Sequence, residues 1–371
     1  MPRPGKIRIR PTTLVDIARV AGVAPMTASR AVNASGYVSE EARDRVLKAA
    51  RSLNYRPNIL ARSLKRQRSH VIGVMLPDIA NPFSAELVQG MQPVFQQAGY
   101  SIFLSTAGRS VEQERAGLHA FVDHRVDGLL IATRGTQLGD EAIVEITKQG
   151  VPVVTVGRPI ADSGVDRVTA DHWRGAHDVV THLISLGHKR IGFIGVSPQD
   201  GPRLRRYQGY ASALREHGIP VRDELVVGPA EGPGYASEED GYDGMKRLAT
   251  LEKPPTAVFA RNDYAAMGAL RAAHDLGLAI PGDIAIAGFD NLPMSKYTTP
   301  PLTTVEQPIS EQGKRAAEFL IDRIERRVKD AHRDVTLDCK LIVRESTDRR
   351  AGAKAATNAA AQSVGSGEVK A

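Results

Sequence analysis

Two folds are predicted within this chain of 371 residues. Residues 12–57 are expected to form an N-terminal all-α helix-turn-helix headpiece, and residues 69–349 an α/β domain of two lobes. Three observations predict this. Residues 14–33 carry two short apolar helical stripes on either side of a glycine. Positive charge is concentrated at the start: residues 1–68 hold 15 Lys and Arg against 4 Asp and Glu, whereas the remainder hold 34 against 38. From residue 70 onward, apolar β-branched runs alternate with amphipathic stretches, the pattern of parallel sheets covered by helices.

The first helix follows from Leu14, Ile17, Ala18 and Ala21, which fall at i, i+3, i+4 and i+7. Gly22 ends it, as a residue able to take positive φ does. The second helix opens at Pro25, whose missing N–H has no partner at a first helical position. Ala18, Ala21 and Ala28 are small enough for the two helices to cross closely. A third helix is expected over 39–53, with Ser39 as its cap and Glu40 and Glu41 in its positive first turn. Ala42, Val46, Ala49 and Leu53 give it one apolar face. A helix-turn-helix places its second helix in the DNA major groove, and the basic balance of this module is the footprint of nucleic-acid binding. In that helix Arg30 is the natural base reader, since arginine to guanine is the commonest specific contact. Thr27, Ser29 and Asn33 can reach phosphates or bases. Residues 1–11, with Arg3, Lys6, Arg8 and Arg10, are expected to be a flexible basic arm adding phosphate contacts.

The strands of the larger domain are expected at 70–77, 100–104, 126–131, 151–156, 190–195, 256–260 and 284–287, with helices such as 83–98 and 173–186 between them. Roughly 280 residues exceed one α/β core, so two lobes follow. An enzyme is not expected. The single Cys339, placed in a strand near the end, has no second thiol, and the ten histidines form no metal-binding spacing. GxGxxG, GxxxxGK[ST] and GxSxG motifs do not occur, so neither cofactor nor metal is expected. An exported sugar receptor would need a signal peptide. Residues 1–11 are basic, but no apolar segment follows, and a cytoplasmic location without membrane association is expected.

Leu14 to Asn33, then Val38-Ser39 and Leu53-Asn54-Tyr55-Arg56-Pro57-Asn58, resemble the headpiece of the LacI/GalR family of bacterial transcriptional regulators. Asn81-Pro82-Phe83, the stretch 186–191, Asn262-Asp263, Gly288-Phe289-Asp290 and the stretch 301–305 are similar to that family's signatures, and the likeness covers about 12–349. It implies that the larger domain is a type I periplasmic-binding-protein-like fold with a ligand cleft between lobes interleaved by chain crossings. Lobe 1 is expected to take about 69–170 and 300–328, and lobe 2 about 171–299 and 329–349. Residues 58–68 correspond to a hinge helix and linker. In the family that helix forms on operator DNA and wedges a leucine, here Leu64, into the minor groove. Thr13, Pro25, Met26, Tyr55, Asn58 and Ala61 are counted with Thr27, Ser29, Arg30, Asn33 and Leu64 as DNA-binding residues. The recognition helix departs from common members: Pro25 cannot hydrogen-bond a base edge, Met26 offers apolar contact alone, and Ala24 stands where a Ser or Thr cap is common.

Ligands of such lobes sit beyond the carboxyl ends of the strands. The effector-binding candidates there are Asn81, Phe83, Arg134, Arg158, Asp171, Arg206, Asn262 and Asp290. Carboxylate, carboxamide and guanidinium groups suit a polyol or sugar, and Phe83 can stack on a sugar face. Alternatively Asp290 and Asn262 cap helices, and Arg206 pairs with Asp200. The chain has Gly157-Arg158 where some sugar-binding members have a carboxylate, and Asp171-His172 where Asp-Asn is common. Arg158 and Arg134 would then favour a sugar acid or sugar phosphate beside a neutral sugar, and a purine is the alternative effector. Residues 350–371, rich in Ala, Gly and Ser, are expected to be disordered, and they lack the leucines of a tetramerising helix. The reading is a homodimeric repressor of a carbohydrate-utilisation operon. It binds palindromic operator DNA and is controlled by a small effector as inducer or corepressor.

Overall fold

The computed structural model describes residues 12–55, 68–107, 110–133, 137–160, 164–197, 204–228, 236–328 and 332–348. The chain divides into two compact units at residue 70. The expected arm, the hinge residues Asn58, Ala61 and Leu64, the candidate Arg134 and the expected tail lie outside the described residues.

The first unit is three helices: α1 (Leu14–Ala21), α2 (Pro25–Val32) and α3 (Glu40–Ser52). Each boundary has a local cause. Thr13 and Asp16 form a reciprocal capping box on α1. Gly22 sits at φ 63° with its N–H returned to Ala18 and Arg19. A Cβ there would meet nothing within 4 Å, so backbone conformation rather than space requires the glycine. Ser39 caps α3 through the Ala42 N–H at 3.4 Å. Ile17, Ala18, Ala21, Ala28, Ala31, Val46 and Ala49 are buried together, with Leu14, Leu53 and Tyr55 closing the rim. The core is built largely of alanine, which lets three short helices approach closely.

The second unit carries two parallel sheets. The first is six-stranded, in the order β11-β5-β4-β3-β1-β2, from β1 (Val71–Leu76), β2 (Ser101–Thr106), β3 (Gly128–Ile131), β4 (Val153–Val156), β5 (Asp166–Ala170) and β11 (Asp334–Leu337). Alternation along β1 sends Ile72, Val74 and Leu76 against α4 (Pro82–Gln97) and α11 (Ile309–Ile324). Met75 faces the other way, into the core beneath α5 (Val111–Asp123) and α6 (Gln137–Lys148). The second sheet is four-stranded, β7-β6-β8-β9, from β6 (Ile191–Ile194), β7 (Val226–Val227), β8 (Ala257–Ala260) and β9 (Ala285–Ala287). One face packs on α7 (His172–Ser185) and α8 (Arg205–Glu216), the other on α9 (Glu238–Ala249) and α10 (Asp263–Asp275). Burial on both faces is why these strands are apolar throughout. Among the described residues no helix is long and apolar enough to cross a membrane.

Two segments fall on the other side of the lobe division from the one expected. β11 was assigned by sequence to lobe 2, yet it pairs in parallel with β5 in the first sheet. Arg323 and Arg333 fix it there by closing on the fully buried side chain of Asp166, at 2.7 Å each. Conversely, residues 301–306 pack on the second lobe. Thr303 and Glu306 bridge to Ala287 and Asp290, and Leu302 and Val305 enter the second lobe's cores. β10 (Thr304–Glu306) and β12 (Lys340–Ile342) form an antiparallel strap. Cys339 sits in the two-residue break between β11 and β12, not in a strand. The chain thus passes between lobes at 170–172, 306–309 and 337–340.

Candidate functional site

In the headpiece, α2 turns Ala28 and Ala31 into the core and leaves Pro25, Met26 and Arg30 outward. Met26 is 63% exposed. An unburied methionine beside an arginine makes an outer face fit for apolar contact and guanine hydrogen bonding. Ala24 makes no side-chain cap, so the first amides of α2 remain open to an external acceptor such as phosphate. Thr27 and Ser29 are half-buried at the edges of this face. Asn33 turns back along α2, its Nδ2 donating to the Ser29 carbonyl at 2.8 Å. Thr13 is occupied as the α1 cap, and Tyr55 packs on the core, where burial raises its phenol above the usual value. Tyr37 is 89% exposed in the loop before α3.

In the second unit, the chain order after β6, β8 and β9 delivers Arg206, Asn262 and Asp290 to the carboxyl ends of the second sheet. Arg206, in the first turn of α8, lies 3.1 Å from Asp290 Oδ1 and donates to the Arg261 carbonyl at 2.5 Å. Its guanidinium lies 3.9 Å over the Phe289 ring. Asp290 also accepts from Gln307 Nε2 at 2.6 Å, and Gln307 Oε1 meets His172 Nε2 at 2.9 Å. Gln307 and His172 belong to two of the lobe crossings, so the network joins lobe 2 to the segments that connect the lobes. Asp290 and Asn291 have φ of 119° and 53°, conformations that L residues adopt at a cost of about 1–3 kcal/mol each. The surroundings over-determine this turn: Asp290 N–H to Val305 O, Leu292 N–H to Asp263 Oδ2, and Arg344 to Asn291 Oδ1. Gly288 is needed here for space, since a Cβ would stand 2.3 Å from Asp263 Oδ1.

Buried charges tune the region. Burial pushes the Asp263 carboxyl up to about 7, with Asp290 adding to it. Burial lowers the His172 imidazole to about 3, with the Arg206 charge acting in the same sense. Burial pushes the Cys339 thiol up to about 12, so it is a packed thiol and not a nucleophile. Glu86 on α4 is raised chiefly by burial and further by Glu306 and Asp290. Beside Gln307 lies an open pocket of about 200 Å³, lined by Glu86, Glu306, Glu311 and Asp338 with Lys340.

The remaining described candidates make contacts within the protein. Asn81 caps α4, accepting from Phe83 N–H at 2.9 Å, while Phe83 packs on the first core. Asp171 caps α7 through the Arg174 N–H at 3.0 Å. Asn262 caps α10 and donates to the Ala236 carbonyl, both at 2.9 Å. Arg158 is sealed inside lobe 1. Its guanidinium meets Glu114 at 2.7 Å, Asp140 at 2.6 Å and Thr133 at 2.9 Å. The charge that favoured an anionic effector is therefore already matched twice within the lobe. Arg206 has Asp290 as its ion-pair partner; Asp200 lies outside the described residues. His172, Phe289 and Gln307 were not among the effector-binding candidates, because only the fold brings the lobe crossings to the Asp290 turn.

Comparison with known proteins follows the same division. Residues 13–58 match the family described as bacterial regulatory proteins, lacI family, and residues 180–347 match a periplasmic binding protein-like domain. The HTH-type transcriptional repressor CytR of Escherichia coli (strain K12) is 35% identical over 337 residues, spanning 90% of this chain and 96% of that protein. Among solved structures, the lac repressor dimer bound to operator and the anti-inducer ONPF aligns with a TM-score of 0.79 at 28% identity, covering 91% of this chain and 99% of that one. The transcriptional regulator CelR in complex with cellobiose aligns at 0.68 and 30% identity, covering 90% and 99%.

Proposed function

The chain belongs to the lacI family of bacterial regulatory proteins, and from that premise we propose a homodimeric repressor of a carbohydrate-utilisation operon, controlled by a neutral polyhydroxylated effector between its lobes. It is a DNA-binding transcriptional regulator with a helix-turn-helix headpiece and a periplasmic-binding-protein-like domain. The observation that carries the effector class is the ion-pair arrangement. Arg158 is compensated by Glu114 and Asp140, and Arg206 by Asp290. No uncompensated cation of the described candidates is left for a phosphate or carboxylate. The remaining polar groups, Gln307, His172 and the shared Asp290 carboxylate, suit hydroxyls, and the likeness to a cellobiose complex supports the same class.

The two-fold symmetry of a dimer fits a palindromic operator, read by α2 with Arg30 and Met26 toward base edges and Leu64 as the wedge. The effector acts by binding one lobe arrangement more tightly than the other, and so biases whether two headpieces engage DNA together. Thermal unfolding of the full-length protein against neutral sugars, sugar acids, sugar phosphates and purines tests the effector. A neutral sugar is expected to raise the midpoint with concentration. A rise with sugar phosphates alone would break the neutral-ligand reading, and a rise with a purine alone would replace the sugar by a purine. Selection from randomised palindromes tests the DNA half. Arg30→Ala is expected to relax one base position at a cost of about 1–3 kcal/mol.

A further inference from the structure

His172 opens α7 immediately after the first lobe crossing and is half-buried. Its Nε2 lies 2.9 Å from Gln307 Oε1, and Gln307 Nε2 lies 2.6 Å from Asp290 Oδ1. The chemistry of these groups gives the chain of bonds a single direction. Asp290, ion-paired with Arg206, is a carboxylate and only accepts. The Gln307 amide must therefore turn its NH₂ to Asp290 and its carbonyl oxygen to His172. That oxygen only accepts, so the imidazole carries its proton on Nε2 and donates it. Nδ1 is left with a lone pair, and no described residue hydrogen-bonds to it.

We infer that His172 is a specificity residue of the effector cleft, offering Nδ1 as an acceptor-only contact that selects a ligand with a hydroxyl or N–H at that position and rejects one with an ether, carboxylate or phosphate oxygen there. The inference rests on the cleft reading above. The surroundings hold the ring in this state. Burial lowers its pKa to about 3, Arg206, Arg205 and Arg167 add to that, and Gln307 alone opposes it. The positive end of α7 disfavours a second proton as well. Phe289 meets the ring edge-on, at 5.9 Å between centroids and 77° between planes. An asparagine here, as the resemblance leads one to expect, can rotate its amide to offer either a donor or an acceptor. The imidazole cannot, because rotation would break its bond to Gln307. A ligand acceptor placed against Nδ1 would set two lone pairs face to face, a mismatch more costly than the loss of one neutral hydrogen bond.

The experiment uses the full-length protein with ¹⁵N-labelled histidine, the His172 signals being assigned by their absence in His172→Phe. At pH 7 an Nε2-protonated, Nδ1-bare ring is expected. An Nδ1-protonated or doubly protonated ring overturns the assignment. In parallel, D-ribose, D-glucose and cellobiose are titrated into wild type and His172→Phe by thermal unfolding. A probe that binds wild type is expected to lose about tenfold in affinity with the variant, the worth of one hydrogen bond. Undiminished affinity overturns the inference. His172→Asn, the smaller change, is expected to keep the probe and also to admit its O-methyl ether, which wild type rejects; equal rejection by both would likewise overturn it. Binding of none of the probes would break the cleft reading itself, and the observed tautomer then decides the His172 assignment alone.

Discussion

Each lobe brings an arginine to the carboxyl end of its sheet, and the two have opposite surroundings. The Arg158 side chain is 2% exposed and faces two carboxylates, Glu114 and Asp140, both from lobe 1. The Arg206 side chain is 16% exposed and pairs with Asp290, whose same oxygen is claimed by Gln307 from a lobe crossing. The difference teaches how to separate architecture from response. A charge matched twice within one rigid body ties α5, α6, β3 and β4 together and is insensitive to what enters the cleft. A charge whose partner is shared with a segment that connects the lobes is the one expected to respond to lobe arrangement.

The strongest way to break this comparison is Arg158→Met. Removing one member of a buried network strands the Glu114 carboxylate, and a loss of about 3–5 kcal/mol is expected in urea unfolding. The triple change with Glu114→Gln and Asp140→Asn is expected to recover most of it, because no charge is then left buried alone. A loss under about 1 kcal/mol for the single variant would mean that the triad is not structural. Asp290→Asn should cost less, about 1.5–3 kcal/mol for one charged hydrogen-bonding group, yet abolish the response of operator binding to effector. If the response survives, Arg206 and Asp290 belong with Arg158 as architecture.

Asp263, fully buried, and His172, half-buried, sharpen the comparison through pH. Asp263 holds its proton up to about 7 in the folded protein, whereas the unfolded chain releases it near 3.8. Its contribution to stability is therefore full in acid and falls as pH rises from about 4 to about 7. His172 behaves oppositely. Folded it stays neutral down to about 3, so its contribution is full above 6.5 and is lost as pH falls through that window. Urea unfolding across pH 4–8 should show wild type losing stability relative to Asp263→Asn as pH rises, and relative to His172→Phe as pH falls. Parallel curves would show that neither group is buried as described. The smallest expected effect is Asn81→Ala, about 1 kcal/mol for one helix cap, without change in effector selectivity. A lost response there would return Asn81 to the ligand.

Much of the fold could be read directly from the residues. Gly22, Ser39 and the apolar spacings of α1 and α3 depend on neighbours three or four positions away, and seven of the ten strands of the two sheets announce themselves as apolar runs, whereas β5, β7 and β11 were not picked out. Helix and strand boundaries therefore fell within a few residues, and the basic balance of the first 68 residues pointed to DNA before any geometry was known. Pairing across strand ends was not legible in this way. Arg158 finds Glu114 44 positions away, and Asp166 finds Arg333 167 positions away, because strand order places them side by side. The same order carries β11 back to the first sheet and leaves residues 301–306 on the second. Local structure is set by short-range backbone geometry, which sequence spacing records. Whether an arginine is a ligand contact or a sealed ion pair depends on which distant carboxylate the packed sheets bring within 3 Å of it, and only the tertiary structure decided that.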